Sequence, residues 1–127
     1  LVRFRDGTFS ALTTNDGLPG RVSLEPVSGE IGSRVSFRIA TIAVPQPGDK
    51  PRGPHLHRDF EECIYVLSGQ GTMRAESGEH PVKPGDILLV PAGEKHMTLN
   101  TGNEPLVLLC FFPTPDVSSR TTEFASF

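Results

Sequence analysis

The sequence predicts an all-β protein, folded as a sandwich or a closed barrel, and three observations carry that reading. Amphipathic helical periodicity is nearly absent from the 127 residues. Apolar residues instead alternate or gather in short runs, the pattern of strands with one or both faces buried. The 13 glycines and 12 prolines are spread between these runs, which suits many short strands joined by sharp turns.

Nine candidate strands follow in order, at residues 2–4, 21–25, 34–44, 62–67, 71–75, 80–82, 86–90, 96–100 and 106–112. In the third, alternation sets Val35, Phe37, Ile39, Thr41 and Ala43 on one face and Arg34, Ser36 and Arg38 on the other. Turn chemistry punctuates the later ones: Gly69-Gln70-Gly71, Ser77-Gly78-Glu79, Lys83-Pro84-Gly85-Asp86, Pro91-Ala92-Gly93 and Thr101-Gly102-Asn103. Gly69, Gly85 and Gly93 are turn formers in this scheme. Phe37, Met73, Met97, Phe111 and Phe112 are expected to fill the core or line a cavity. From Pro113 onward a central strand is ruled out by prolines that lack the N–H donor, so residues 113–127 are expected to wrap the outside or reach a partner subunit.

The bulk numbers set limits on function. A chain of 127 residues makes one domain with a single sizeable core. A formal net charge of −3 gives no electrostatic footprint for nucleic acid or an anionic membrane, so neither is an expected partner. No apolar run approaches the roughly 20 residues that span a bilayer. The chain opens at Leu1-Val2-Arg3-Phe4 with no basic-then-apolar leader, and it lacks an initiator methionine, which leaves the native start open. Two cysteines, Cys63 and Cys110, are too few for a disulfide framework, and cytoplasmic residence is the expectation. Both are read as small core or interface residues.

Chemistry concentrates in two segments. Three of the four histidines, His55, His57 and His96, fall in them, with Glu61 and Glu62 close behind the first pair. His55 and His57 lie two apart, so on an extended strand both side chains face one side. Three imidazoles and a carboxylate form a borderline nitrogen and oxygen donor set suited to Fe(II), Mn(II), Ni(II), Co(II) or Zn(II). The fourth histidine, His80, sits beside a Gly-Glu turn and reads as a solvated surface residue.

From Gly48 to Asn100 the chain resembles a small single-domain cupin. Motif 1 of that family, a His-x-His followed by Glu and then by Gly, is filled by His55, His57, Glu62 and Gly69 within residues 48–69. Motif 2 is filled at every place by Gly85, Pro91, Gly93, His96 and Asn100 within residues 85–100. One place departs: Asp49 stands where motif 1 opens on glycine, with Gly48 before it. The resemblance implies a jelly-roll β-barrel, a double-stranded β-helix, as a single domain over residues 1–127. It also implies one divalent transition metal per chain on His55, His57, Glu62 and His96, Fe(II) favoured, with two coordination positions open. Motif 1 tolerates Glu61 as the ligand, but the six residues from Glu62 to Gly69 favour Glu62. Ile64 then shares the metal-facing side, while Cys63 and Tyr65 face away. Some small cupin lyases acting on dimethylsulfoniopropionate carry a tyrosine two places after that glutamate, and here Ile64 occupies it.

The expected function is a metal-dependent enzyme acting on a small oxygenated molecule, foremost a dioxygenase-type oxidoreductase. A non-redox isomerase or lyase is the alternative, with Glu62, Arg74 or Glu61 moving a proton. A small-molecule-binding module without turnover is the third. Arg38 and Arg74 lie in strands and could anchor an anionic substrate, but a surface face or salt bridge is the favoured account. Edge strands of a short jelly roll need covering, and cupins of this size are commonly dimers, so a homodimer exchanging residues 2–4 or 21–25 is expected.

Overall fold

The computed structural model describes residues 1–5, 11–13, 20–50 and 52–127. Eleven strands are described: β1 (Ala11–Thr13), β2 (Arg21–Val27), β3 (Ser36–Ile42), β4 (His55–His57), β5 (Glu62–Ser68), β6 (Gly71–Ala75), β7 (Gly78–Val82), β8 (Ile87–Val90), β9 (His96–Asn100), β10 (Leu106–Phe112) and β11 (Thr121–Glu123). They form two antiparallel sheets. One has six strands in the order β1-β2-β3-β10-β5-β8, the other five in the order β11-β4-β9-β6-β7. Sequence-distant strands interleave across both, the arrangement of a jelly roll. No helix among the described residues is long and apolar enough to cross a membrane.

The core lies between the sheets. Ile64 and Val66 of β5, Leu106, Leu108, Cys110 and Phe112 of β10, Ala40 of β3 and Met73 of β6 meet there with Val82, Val90 and Val117. Alternation sends every second residue of β5 inward, so Glu62, Ile64 and Val66 are buried while Cys63, Tyr65 and Leu67 are exposed. The turn into β6 needs Gly69 at φ 82°, and a Cβ there would collide with the backbone of Pro105.

Several expectations change. Residues 2–4 form no strand, and residues 21–25 pair with β3 of the same chain, Arg21 opposite Ile42. The third strand is shorter than 34–44 and faces the other way: Ser36 and Ala40 are fully buried, while Phe37 and Ile39 are only partly so. A period of two separates two faces without saying which is inside. Here the interior holds polar groups, and it takes the small and charged set. Ser36 donates its hydroxyl to the Thr114 carbonyl at 2.7 Å, and Arg38 pairs with Glu25. The same parity exposes Phe111, expected inside, and leaves Cys63 on the surface. Residues 113–127 wrap back onto their own chain: Val117 enters the core, and β11 pairs with β4.

Candidate metal centre

Strand pairing assembles the centre. In the five-stranded sheet His55 of β4 lies opposite His96 of β9, and His57 follows two residues along β4 on the same side. Glu62, the first residue of β5, approaches from the other sheet. The four side chains each offer one ligand atom, and these atoms all lie within 4.8 Å of one another. Glu62 Oε1 is 3.2 Å from His96 Nε2 and 3.3 Å from His57 Nε2. His57, Glu62 and His96 are buried, whereas His55 is partly open. Glu61 is exposed and stands outside the group.

The far side of two rings is fixed. His96 Nδ1 donates to the Glu94 carbonyl at 2.9 Å. The Thr121 hydroxyl donates to the Val117 carbonyl at 2.7 Å, so at its 3.0 Å contact with His57 Nδ1 it must accept. Both rings therefore carry a proton on Nδ1 and turn Nε2 toward Glu62, the orientation outer hydrogen bonds impose on metal-ligating imidazoles. His57 Nε2 is buried without a hydrogen-bond partner, an atom that native interiors rarely leave unmatched. Phe60 and Phe112 pack on the same ring at 5.1 and 5.3 Å between centroids. This orphaned nitrogen, within reach of two further imidazoles and a carboxylate, fits a divalent transition ion.

Electrostatics agree with that fit. Burial alone would raise the Glu62 carboxyl, but the imidazoles of His57 and His96 outweigh it and hold it far below the carboxylate range. Burial and the neighbouring His96 push His55 well down, which keeps it neutral. His96 goes up against its own burial because Glu62 faces it. Burial also pushes the Cys110 thiol well up, so that core cysteine stays protonated.

A cavity of about 170 Å³ opens beside His55. Arg21, Lys50, Arg52, Met97 and Asn100 are among the residues that line it. The other predicted candidates lie elsewhere. Arg38 is tied to Glu25 and Ser118 and sits over the Phe112 ring, Arg74 pairs with Glu79 at the surface, and His80 is exposed beside Ser77. Neither Arg74 nor Glu61 is placed to move a proton at the cluster. Sequence reasoning missed Arg21 and Thr121. The alternation of Arg21, Ser23 and Glu25 with Val22 and Leu24 carried a trace of the first, since here too the polar set faces in. Thr121 had none, because its partner lies 64 residues away.

Comparison with known proteins gives a consistent picture. The family described as the cupin domain matches residues 41–112. Among curated proteins, glucose-6-phosphate isomerase of Thermococcus gammatolerans is 38% identical over 64 residues, covering 46% of this chain and 34% of that protein. The oxalate-binding protein of Thermotoga maritima is 37% identical over 57 residues, 45% of this chain and 47% of its own. The chain thus matches half or less of these relatives' length. A solved sugar phosphate isomerase of the cupin superfamily from Silicibacter pomeroyi superposes with a TM-score of 0.68 at 24% identity, over 87% of this chain and 74% of that one, a likeness of fold.

Proposed function

The chain belongs to the cupin family, and from that premise we propose that it is a metal-dependent enzyme acting on a small oxygenated molecule. His55, His57, Glu62 and His96 would hold the ion, and the observation that carries the reading is the buried, partnerless His57 Nε2 facing Glu62 and His96. A bound divalent ion would supply Lewis acidity toward a carbonyl or carboxylate oxygen. The chain's own part is to bind and orient. Thr121 and the Glu94 carbonyl hold two of the rings, Phe60 and Phe112 keep water from His57, and His55 marks the side open to the cavity.

Of the chemistries expected from sequence, non-redox isomerisation or lysis is placed first. It is supported by the similarity of 64 residues of the chain to part of an isomerase. The dioxygenase reading comes second, favoured by a three-histidine, one-carboxylate set with an open side. Turnover of aldose phosphates and small hydroxy acids by Zn(II)-loaded protein under nitrogen supports the first. A strict requirement for Fe(II) and dioxygen would overturn it. Elemental analysis of protein purified without an affinity tag tests the ion itself: His96→Ala and Glu62→Ala should both lose the metal that the parent retains. A second copy of the chain as partner is part of the same proposal, supported by the uncharged outer face of the six-stranded sheet, where Tyr65, Leu67, Ile87, Leu89 and Phe111 are exposed.

A further inference from the structure

If the function just proposed holds, the cavity beside His55 receives the substrate, and its wall carries a charge the ligand cluster does not use. Arg21, the first residue of β2, lines that cavity together with His55. Among the described residues its guanidinium makes neither a hydrogen bond nor an ion pair. Other cations nearby are engaged or peripheral. Arg52 Nη2 binds Glu123 at 2.8 Å, Arg38 is held by Glu25 and Ser118, and Lys50 is exposed. Burial keeps the Arg21 guanidinium below its ordinary range, and its charge reaches both His55 and His96. Glu62 acts on this cation only at a distance and forms no ion pair with it; a shielded cation left unpaired is costly, and an anion seated against it lowers that cost.

We infer that the substrate is a small organic acid whose carboxylate is bound by Arg21, with a second oxygen of the same molecule turned toward His55 and the ligand cluster. One guanidinium presents two parallel N–H donors that match a carboxylate. A phosphate dianion asks for more donors than this single unengaged fork supplies. The cavity, at about 170 Å³, falls short of the 300–1,000 Å³ of drug-sized sites, so the acid is compact. Arg21 is then a specificity-determining residue that selects charge, separate from the four that would hold the ion.

The test is calorimetric titration of Mn(II)-loaded protein with malonate, with its neutral diamide malonamide, and with inorganic phosphate. Malonate should bind, and malonamide should bind at least about tenfold more weakly. Arg21→Met should weaken malonate by about tenfold or more at unchanged metal content, Arg21→Lys should recover part of that, and Lys83→Met, exposed and outside the cavity, should change little. Equal binding of malonate and malonamide would overturn the inference, as would an unchanged malonate affinity in Arg21→Met. Phosphate binding more tightly than malonate would overturn the carboxylate assignment. Elemental analysis and a parallel titration of metal-free protein separate this inference from the reading beneath it. Protein that takes up no metal yet selects malonate through Arg21 would sink the metal-dependent function and keep the carboxylate pocket. Protein that binds metal but is indifferent to Arg21 would do the reverse.

Discussion

His57 shows how much one side chain depends on residues far from it in the chain. Its Nδ1 proton is held by Thr121, whose own proton goes to the Val117 carbonyl, and this leaves Nε2 facing Glu62. Thr121→Val removes the acceptor and frees the ring, so metal affinity should fall about 10- to 100-fold, while Thr121→Ser should keep it. Competition against a chelator reads the effect, and equal affinity in parent and valine variant would exclude the role. Protonation supplies a second expectation. Glu62 folds far below its ordinary 4.5, so it stabilises the metal-free protein above about pH 4.5, and that contribution is lost as acid protonates it. His55, depressed from 6.5, also opposes acid, whereas His96, raised, contributes below 6.5 and loses its contribution as pH rises through its folded value. Between 6.5 and 4.5 His96 is protonated in both states and only His55 varies, so stability should begin to fall below about pH 6.5 and fall more steeply below about pH 4.5, where Glu62 adds its share. Urea unfolding at a series of pH values should show this slope flattened in Glu62→Gln, and an unaltered slope would remove Glu62 as its source. The grouping of the four cluster residues could be read in the sequence because the motifs of the family it resembles set their offsets in two short segments. Arg21 and Thr121 were not, since what they do depends on strands that meet only in the fold.

At the scale of elements, the strands with strong alternation and Gly or Pro at their ends were legible, as β5, β6, β9 and β10 show. Strands that exist because of a neighbour were not. β11 reads only Thr-Thr-Glu, and its extended form comes from pairing with β4, Thr121 opposite His57 and Glu123 opposite His55. Gly53 makes that docking possible: a Cβ there would run into the carbonyl of Phe124, whose N–H donates to the Pro54 carbonyl at 2.9 Å. Gly53→Ala must therefore push the C-terminal strand off β4, at a cost of about 1–3 kcal/mol. A lowered melting temperature together with weaker metal retention is the expected pair of results. A melting temperature equal to the parent's would show that β11 adapts without strain. Residues 2–4 failed in the opposite direction, since a run of three with one alternation is too short to specify a partner.

At the scale of the whole molecule, the two faces of the six-stranded sheet explain why the facing of β3 could not be read. The interior face carries Glu62, Arg38 and Ser36, while the outer face presents Phe37, Ile39, Tyr65, Leu67, Ile87, Leu89, Leu109 and Phe111 without a charged group among them. β8 closes one edge of this sheet, and Ile87 and Leu89 on it are 75% and 60% exposed. An apolar face that continues to an open edge is the kind of surface soluble proteins cover, and it carries no charge with which to select a polar partner. In the proposed dimer a second copy would supply the same apolar face through a two-fold axis, each residue meeting its counterpart region on the other chain. Sedimentation velocity should therefore show a dimer that dissociates on dilution. Leu89→Lys places a charge in the middle of the contact and should shift the protein to monomer at all concentrations, with the metal content unchanged because residue 89 points away from the cluster. Parent protein that sediments as a monomer at its highest attainable concentration would overturn the self-association. A dimer indifferent to Leu89→Lys would move the contact to another surface and leave this face without an assigned partner.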